Sequence, residues 1–550
     1  MTIDTAIPPA TATVLIIGAG PVGLSLAVQL RLLDVDTVVI EKDLEVRDGH
    51  PKGRSTDLRT VEHYRQWGVI ESVRQQAWTT ADPKHQVVIT ESLLTPPIGS
   101  FTMRVGRDEA EVVELAAETS LSIPQPRLQR ILEARALELG AKVYRGWRAG
   151  NFVQDDSVAT AVVVRDADGA FQSISAQYIV GADGPGSRVR KAVGIAVNGE
   201  GPLGRTFSYV VKSDGHRIRD ILNSSPVYDA LGMLVVINQE ASGIVSTPND
   251  DDWGYGVFIP GADAPALSDD VAKLKAQALL GGPGAVDFDI VSRADYRLIT
   301  RIADAYRNGR FFVAGDAAHI CPPTGGHNMN VGIDDAVNLA WKLAAVVQGW
   351  GSDALLDTYE AERRPVGLSV SAESLDNSLS MRRALERIKD TYADLSASER
   401  ADIAWQATFK QWNTKGITLD IRYDSTAIGS RDGLPTPPVW HPSQYWNVAY
   451  PGHRAPHLVL TDGQPLIDHL GKHFTVIQVS SEAQAGDQAS KLVAAGEAAG
   501  IDVKVVTIDS ALAGSKFPQS LTLVRPDRFV SWVGEEVDDA EAVLARSTGR

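Results

Sequence analysis

Residues 14–42 read VLIIGAGPVGLSLAVQLRLLDVDTVVIEK. Val14-Leu15-Ile16-Ile17 is the apolar run expected of a strand buried on both faces. Gly18-Ala19-Gly20-Pro21-Val22-Gly23 turns the chain into a helix carrying Leu24, Ala27, Val28 and Leu30. Thr37-Val38-Val39-Ile40 is a second apolar run, closing on Glu41-Lys42. Strand, glycine turn, helix and strand make a βαβ unit and predict an α/β fold built on a parallel sheet. Gly18, Gly20 and Gly23 permit the tight turn and let a pyrophosphate approach the helix that Pro21 and Val22 begin. Glu41, with Lys42 beside it, falls about twenty residues on, where an acid meets ribose hydroxyls. A Glu there disfavours a 2′-phosphate, which leaves FAD or NAD rather than NADP.

No second fingerprint of this kind follows, because Gly281-Gly282-Pro283-Gly284 has neither a strand before it nor a ribose-binding acid after it. One permanent dinucleotide site favours FAD, with NADH or NADPH visiting elsewhere and transiently.

Arg310 to Leu343 reads RFFVAGDAAHICPPTGGHNMNVGIDDAVNLAWKL. Phe311 to Ala314 predicts a buried strand ending in Gly315-Asp316, and a glycine-rich turn leads into a helix with Ile333, Ala336, Val337 and Ala340 on one face. From Gly315 to Gly325 the stretch resembles the GD motif of the single-component FAD-dependent aromatic hydroxylases, the p-hydroxybenzoate hydroxylase and phenol hydroxylase group. The resemblance implies that Asp316 holds the FAD ribityl chain. It also implies that Gly315, Pro322, Pro323, Gly325, Gly326, Met329 and Asn330 form the loop along the isoalloxazine.

Three more segments carry the same resemblance. AQYIVGADGPGSRVRKAVGI, residues 176–195, is similar to the DG motif, which implies Asp183 and Arg190 at the FAD pyrophosphate and the nicotinamide path. Leu121-Ser122-Ile123-Pro124-Gln125 is similar to a Pro-Gln segment whose Gln approaches the flavin, although Gln125 serves equally well as a helix-start residue. In PKGRSTDLRTVEHYRQWG, residues 51–68, Lys52 stands where relatives place an Arg on the FAD phosphates, keeping the charge but losing the bidentate fork. Arg54 is then open to three readings: binding an anionic substrate, taking over the phosphates, or lying on the surface.

From about 196 to 294 the pattern changes to alternating strands with Asp, Asn, Gly and Pro turns. An antiparallel sheet covering the flavin is expected, helped by a short insertion at about 78–114. Alternation sends Val235 and Ile237 to one face and Trp253, Tyr255 and Val257 to another. Either set lines the substrate chamber, and core packing is the ordinary use of any one aromatic. His327 is placed at the flavin edge and His319 in a structural loop; no cluster with metal-ligand spacing surrounds them.

Leu355 to Pro365 is expected to end one helix and start another, with helix continuing to about 415. Residues 416–454 read as a linker. Residues 455–550 are expected to form a compact α/β unit with strands at Leu458–Leu460, Thr475–Ile477, Val503–Val506 and Leu521–Val524. That unit resembles the thioredoxin-like C-terminal domain of the phenol hydroxylase branch but contains no cysteine, which rules out a redox role for it and leaves packing or oligomerisation, a homodimer included. The FAD-binding domain is then 10–195 together with 295–415.

With 550 residues, two or three domains are expected. The net charge of −16 argues against nucleic acid as a partner. The single cysteine, Cys321, excludes a disulfide within the chain. The first residues lack a basic n-region and an apolar run long enough for a bilayer, so a cytoplasmic protein without a membrane span is expected.

The resemblance implies an enzyme in which NAD(P)H reduces FAD, O2 adds at the flavin C4a position, and the hydroperoxide oxygen passes to a small electron-rich aromatic. A positive field or base near a phenol hydroxyl would favour the more nucleophilic phenolate. Arg54, Tyr255 and the Pro323 carbonyl are the candidates for that role. Rival readings are monooxygenation of a polyketide, antibiotic or heteroaromatic, a flavin-fold binding protein, and a dehydrogenase or oxidase.

Overall fold

The computed structural model describes residues 6–47, 53, 55–77, 86–102, 114–213, 231–238, 242–246, 252–261, 263, 267–282, 287–480 and 488–550. Lys52 and Arg54 lie outside the described residues, and so does the side chain of Trp253.

The first sheet runs in the order Arg307–Asn308, Phe311–Val313, Phe171–Gly181, Thr11–Ile17, Thr37–Glu41, Lys142–Arg145. From Phe311–Val313 to Lys142–Arg145 every neighbouring pair is parallel, and Trp147–Gln154 and Ala159–Arg165 extend it as an antiparallel meander. Val14, Leu15 and Ile16 are completely buried, as expected for a strand covered on both faces. The helices Pro21–Leu32 and Asn328–Val347 pack in one core with Val14 and Ile16.

The second sheet has seven strands, in the order Phe288–Leu298, Gly204–Ser213, Asp252–Pro260, Ser242–Ser246, Leu231–Ile237, Gln86–Thr90, Gly99–Thr102. Its two faces bury different partners. Phe207, Tyr209, Leu234, Val236, Tyr255 and Val257 pack on the helix Asp269–Leu280. Val87, Ile89, Val235 and Ile237 pack instead with Ile388, Ala401, Ala404 and Trp412 of the helices Ala354–Asp390 and Ala397–Trp412. The period of two thus separates Val235 and Ile237 from Tyr255 and Val257, as the alternation requires.

Two expectations are corrected. Leu355 to Pro365 does not join two helices: Ala354–Asp390 is a single helix running through Pro365. Buried ion pairs of Glu362 and Arg363 anchor the turn just before the proline, which offsets the hydrogen bond that proline removes. In the C-terminal unit Leu458–Leu460 forms only an isolated bridge, Val459 with Pro465. The four-stranded sheet is completed by Val530–Gly534, in the order Val503–Asp509, Phe474–Ser480, Leu521–Val524, Val530–Gly534. That is a second-first-third-fourth order with one parallel pair, the arrangement of a thioredoxin-like unit.

Residues 416–454 contain only the short helix Lys415–Thr418 and isolated bridges, yet they are packed rather than loose. Ile417, Ile421, Tyr423 and Ile428 are buried with Cys321, Val331 and Phe529, so this segment is a strap between the first sheet's helices and the C-terminal unit. Among the described residues no helix is long and apolar enough to cross a membrane.

Candidate active site

The parallel strands deliver their carboxyl ends to one edge in a staircase of backbone hydrogen bonds. The Gly18 N–H donates to the Ile40 carbonyl at 2.8 Å, Ala182 to Ile17 at 2.8 Å, and Ala314 to Gly181 at 3.0 Å. Glu41, the glycine turn, Asp183 and Asp316 therefore share the edge at which open α/β sheets bind ligands.

The turn can only be built from glycine. Gly18 has φ +109°, and a Cβ on it would stand 2.3 Å from the Ala182 carbonyl oxygen; on Gly23 it would stand 2.0 Å from that of Gly18. Gly20 differs, because a Cβ there would meet nothing within 4 Å. Gly20 is the N-cap of the Pro21–Leu32 helix, so no cap side chain satisfies the first-turn N–H groups. Glu41 is held at the rim, its Oε2 accepting from the Ala19 N–H at 2.8 Å and its Oε1 from that of Asp43 at 2.9 Å. Lys42 does not join it, pairing at the surface with Asp43 at 2.9 Å. Gln125 is the first residue of the Gln125–Glu138 helix, and one turn later Gln129 donates to the Ala19 carbonyl at 2.6 Å. The sequence offered one sign of Gln129, its i+4 spacing from Gln125 on the same helix face.

Asp183 caps the helix Arg188–Ala192, its Oδ2 accepting from the backbone of Arg188 at 2.6 Å and Val189 at 3.2 Å. Its Oδ1 is buried with no hydrogen-bond partner among the described residues. Arg190 is 5% exposed and turns inward, donating from Nη1 to the Ala317 carbonyl at 2.9 Å. It thus braces the Gly315–His319 stretch from below instead of reaching outward.

Asn330 organises the proline-glycine loop. Its Oδ1 accepts from the Asp57 N–H at 3.1 Å, while Nδ2 donates to the carbonyls of Ser55 at 3.1 Å and Gly326 at 2.8 Å. Burial and the nearby charge of Asp334 push the Asp57 carboxyl up to about 7. Pro322 is buried and Pro323 exposed, with the Pro323 carbonyl accepting from the Gly326 N–H at 3.0 Å. Thr324 ties the loop to the long helix, its Oγ1 standing 2.7 Å from the Ser374 carbonyl and 2.8 Å from the Ser378 hydroxyl. Met329 packs partly buried against the main core. Cys321 is buried and its thiol is pushed up to about 12, which makes it inert as a nucleophile.

Two expected chamber residues are elsewhere. His327 is 3% exposed and tucked beneath Gly325, whose Cβ would fall 2.4 Å from its Nε2; burial pushes its ring down to about 4 and keeps it neutral. Tyr255 faces the other helix, its hydroxyl donating to the Ala272 carbonyl at 3.1 Å and its ring stacking on Tyr209 at 4.8 Å. Burial raises that phenol and removes Tyr255 from the candidates for acting on substrate. Val235 and Ile237 lie on the opposite face, covered by Ala397–Trp412 and by the far end of Ala354–Asp390, the helix to which Thr324 is tied. Phe101 and Trp405 stack at 4.6 Å beside them.

The edge therefore fits FAD: a capless helix N-terminus with an open glycine, an acid at the ribose position, an orphaned buried carboxylate oxygen on Asp183, and a glycine loop held by Asn330. His319 is bound to Asp335 at 2.7 Å.

Comparison with known proteins agrees with this geometry. Residues 11–374 match the family model described as FAD binding domain, and residues 448–550 match aromatic-ring hydroxylase, C-terminal. The chain is 32% identical over 561 residues to 4-methyl-5-nitrocatechol 5-monooxygenase of a Burkholderia species, covering 98% of this chain and 97% of that one. It is 31% identical over 550 residues to rifampicin monooxygenase of Rhodococcus hoagii, covering 98% of each. A crystal structure of aklavinone-11 hydroxylase with FAD and aklavinone superposes with a TM-score of 0.81 at 27% identity, covering 99% of this chain and all of that one. Glycine turn, GD loop and C-terminal unit thus occur together along almost the whole length, and the chain belongs to the FAD-dependent aromatic-ring monooxygenases.

Proposed function

We propose that the enzyme hydroxylates a phenolic or comparably electron-rich aromatic ring, using O2 and NADH or NADPH, in the cytoplasm. The observation that carries this reading is the shared sheet edge of glycine turn, Glu41, orphaned Asp183 Oδ1 and Asn330-held proline-glycine loop, in a chain similar to a nitrocatechol monooxygenase.

Bound FAD supplies electron storage and oxygen activation. The glycine turn binds its pyrophosphate, Glu41 its ribose and Asp316 its ribityl chain, while Asn330 keeps the loop against residues 55–57. A closed chamber must exclude water; Val235 and Ile237, packed with Ile388, Ala401 and Ala404, back that chamber from within the sheet's covered face. The Pro323 carbonyl has a second lone pair with which to accept from a substrate hydroxyl, and Arg54 provides positive charge that favours the phenolate or contacts the flavin phosphates. The assembly proposed is a homodimer, which light scattering tests.

Anaerobic flavin reduction by NADH and NADPH against a panel of phenols, catechols and hydroxybenzoates tests the substrate class. A phenol that accelerates reduction by orders of magnitude supports the reading; uniform rates across the panel oppose it. A second reading, oxygenation of a larger polyketide, antibiotic or heteroaromatic, is favoured by the likeness to the rifampicin and aklavinone enzymes.

A further inference from the structure

Asp335 is completely buried and stands outside the roles assigned so far. Its Oδ2 accepts from the Gly315 N–H at 3.0 Å and from His319 Nε2 at 2.7 Å, so one carboxylate oxygen grips both ends of the five-residue stretch that carries Asp316. Its Oδ1 accepts from Arg363 Nε at 2.7 Å. With Arg190 on the Ala317 carbonyl, the stretch is pinned at three places.

A buried carboxylate is costly unless it is paired and its lone pairs are filled. Arg363, also fully buried, provides the pairing and is itself fixed in orientation. Its Nη2 donates to the Val331 carbonyl at 3.0 Å and its Nη1 to the Tyr423 hydroxyl at 3.0 Å. Tyr423 belongs to the strap, and its ring stacks at 3.9 Å on Phe529 of the C-terminal unit. Arg525 of the same unit lies over the Tyr423 ring at 5.4 Å and binds Glu362, the neighbour of Arg363, at 2.6 Å. A continuous path of buried contacts thus runs from the cysteine-free unit to the loop of Asp316.

We infer that Asp335 is a positioning residue of the FAD site, and that the strap and C-terminal unit hold it in register through Tyr423 and Arg363. The C-terminal unit would then serve flavin retention without redox chemistry of its own. This inference rests on FAD binding and not on the identity of the substrate.

The test is FAD affinity of the full-length apoprotein, titrated by flavin fluorescence, alongside the visible circular dichroism of the bound flavin. Asp335→Asn is expected to weaken FAD by about tenfold or more and Tyr423→Phe by about three- to tenfold, the equivalent of one buried hydrogen bond. Leu492→Ala is the control: it opens a cavity in the C-terminal unit, lowers the melting temperature, and is expected to leave FAD affinity within about twofold. If Asp335→Asn does not fold, Tyr423→Phe decides alone. Unchanged affinity in both variants, or equal weakening in Leu492→Ala, overturns the inference. Weakening by Asp335→Asn alone overturns the part assigned to the strap. A wild type that binds FAD but oxygenates no phenol leaves this inference standing and counts only against the proposed substrate.

Discussion

The Arg190 guanidinium donates to the Ala317 carbonyl across 2.9 Å, joining two segments that are 127 residues apart in sequence. One end is the helix that follows Asp183; the other is the residue after Asp316. The Asp183 and Asp316 loops are thus fixed to each other.

Replacing Arg190 with Met leaves the Ala317 carbonyl buried and unsatisfied, which costs about 1–3 kcal/mol. The expected result is FAD binding weakened by about tenfold, with Arg190→Lys intermediate; Asp316→Ala should strip or weaken FAD at least as much. Equilibrium titration of apoprotein with FAD measures all three.

Asn330→Ala removes three hydrogen bonds that join residues 55–57 to Gly326. A loss of roughly 2–4 kcal/mol of stability is expected, together with substoichiometric flavin after purification. Absorbance ratios and urea denaturation report the two effects, and a variant with full flavin would show that the loop does not depend on Asn330.

Tyr255→Phe removes the hydroxyl that donates to Ala272, so stability should fall by about 1 kcal/mol while kcat stays within about twofold of wild type. Steady-state kinetics against a phenol substrate checks this. A large drop in kcat would return Tyr255 to the chamber.

The buried ring of His327 gives a signed dependence on pH. Burial lowers it from 6.5 to about 4, so the unfolded chain takes up its proton first as pH falls. The stability it permits is full above pH 6.5 and declines as pH drops towards 4, by about 3 kcal/mol over the whole window. His453, pushed down to about 3 by burial and by the positive charges of Arg422 and Arg431, acts in the same direction; Asp57, raised to about 7, acts in the opposite one. His327→Gln should therefore lose about 2–3 kcal/mol less than wild type between pH 7.5 and 4.5 in urea titrations. Parallel losses would mean that His327 is not held neutral.

Much of this site is legible in the sequence because backbone contact dictates it. Gly18 and Gly23 have no room for a Cβ, and Glu41 follows at the distance set by a helix and a strand. The alternation of Val235 and Ile237 against Tyr255 was legible too, but not what covers the Val235 face, since that depends on helices more than a hundred residues away. Asp334 and Asp335 read locally as a solvated helix face. They are buried only because Arg59, His63, His319 and Arg363 come to them from distant segments. Leu458–Leu460 has strand composition without a sheet neighbour, and Val459 stays 40% exposed. Val530–Gly534 is short and gains its strand character from pairing with Leu521–Val524.

The central claim is oxygen transfer to a phenolic ring. Its most direct test is turnover under 18O2 with NADH or NADPH and a panel of phenols and catechols, with products resolved by mass spectrometry. One 18O atom is expected in a new ring hydroxyl, matched by one nicotinamide oxidised per product. Nicotinamide oxidation that yields only hydrogen peroxide with every phenol and catechol would contradict the claim.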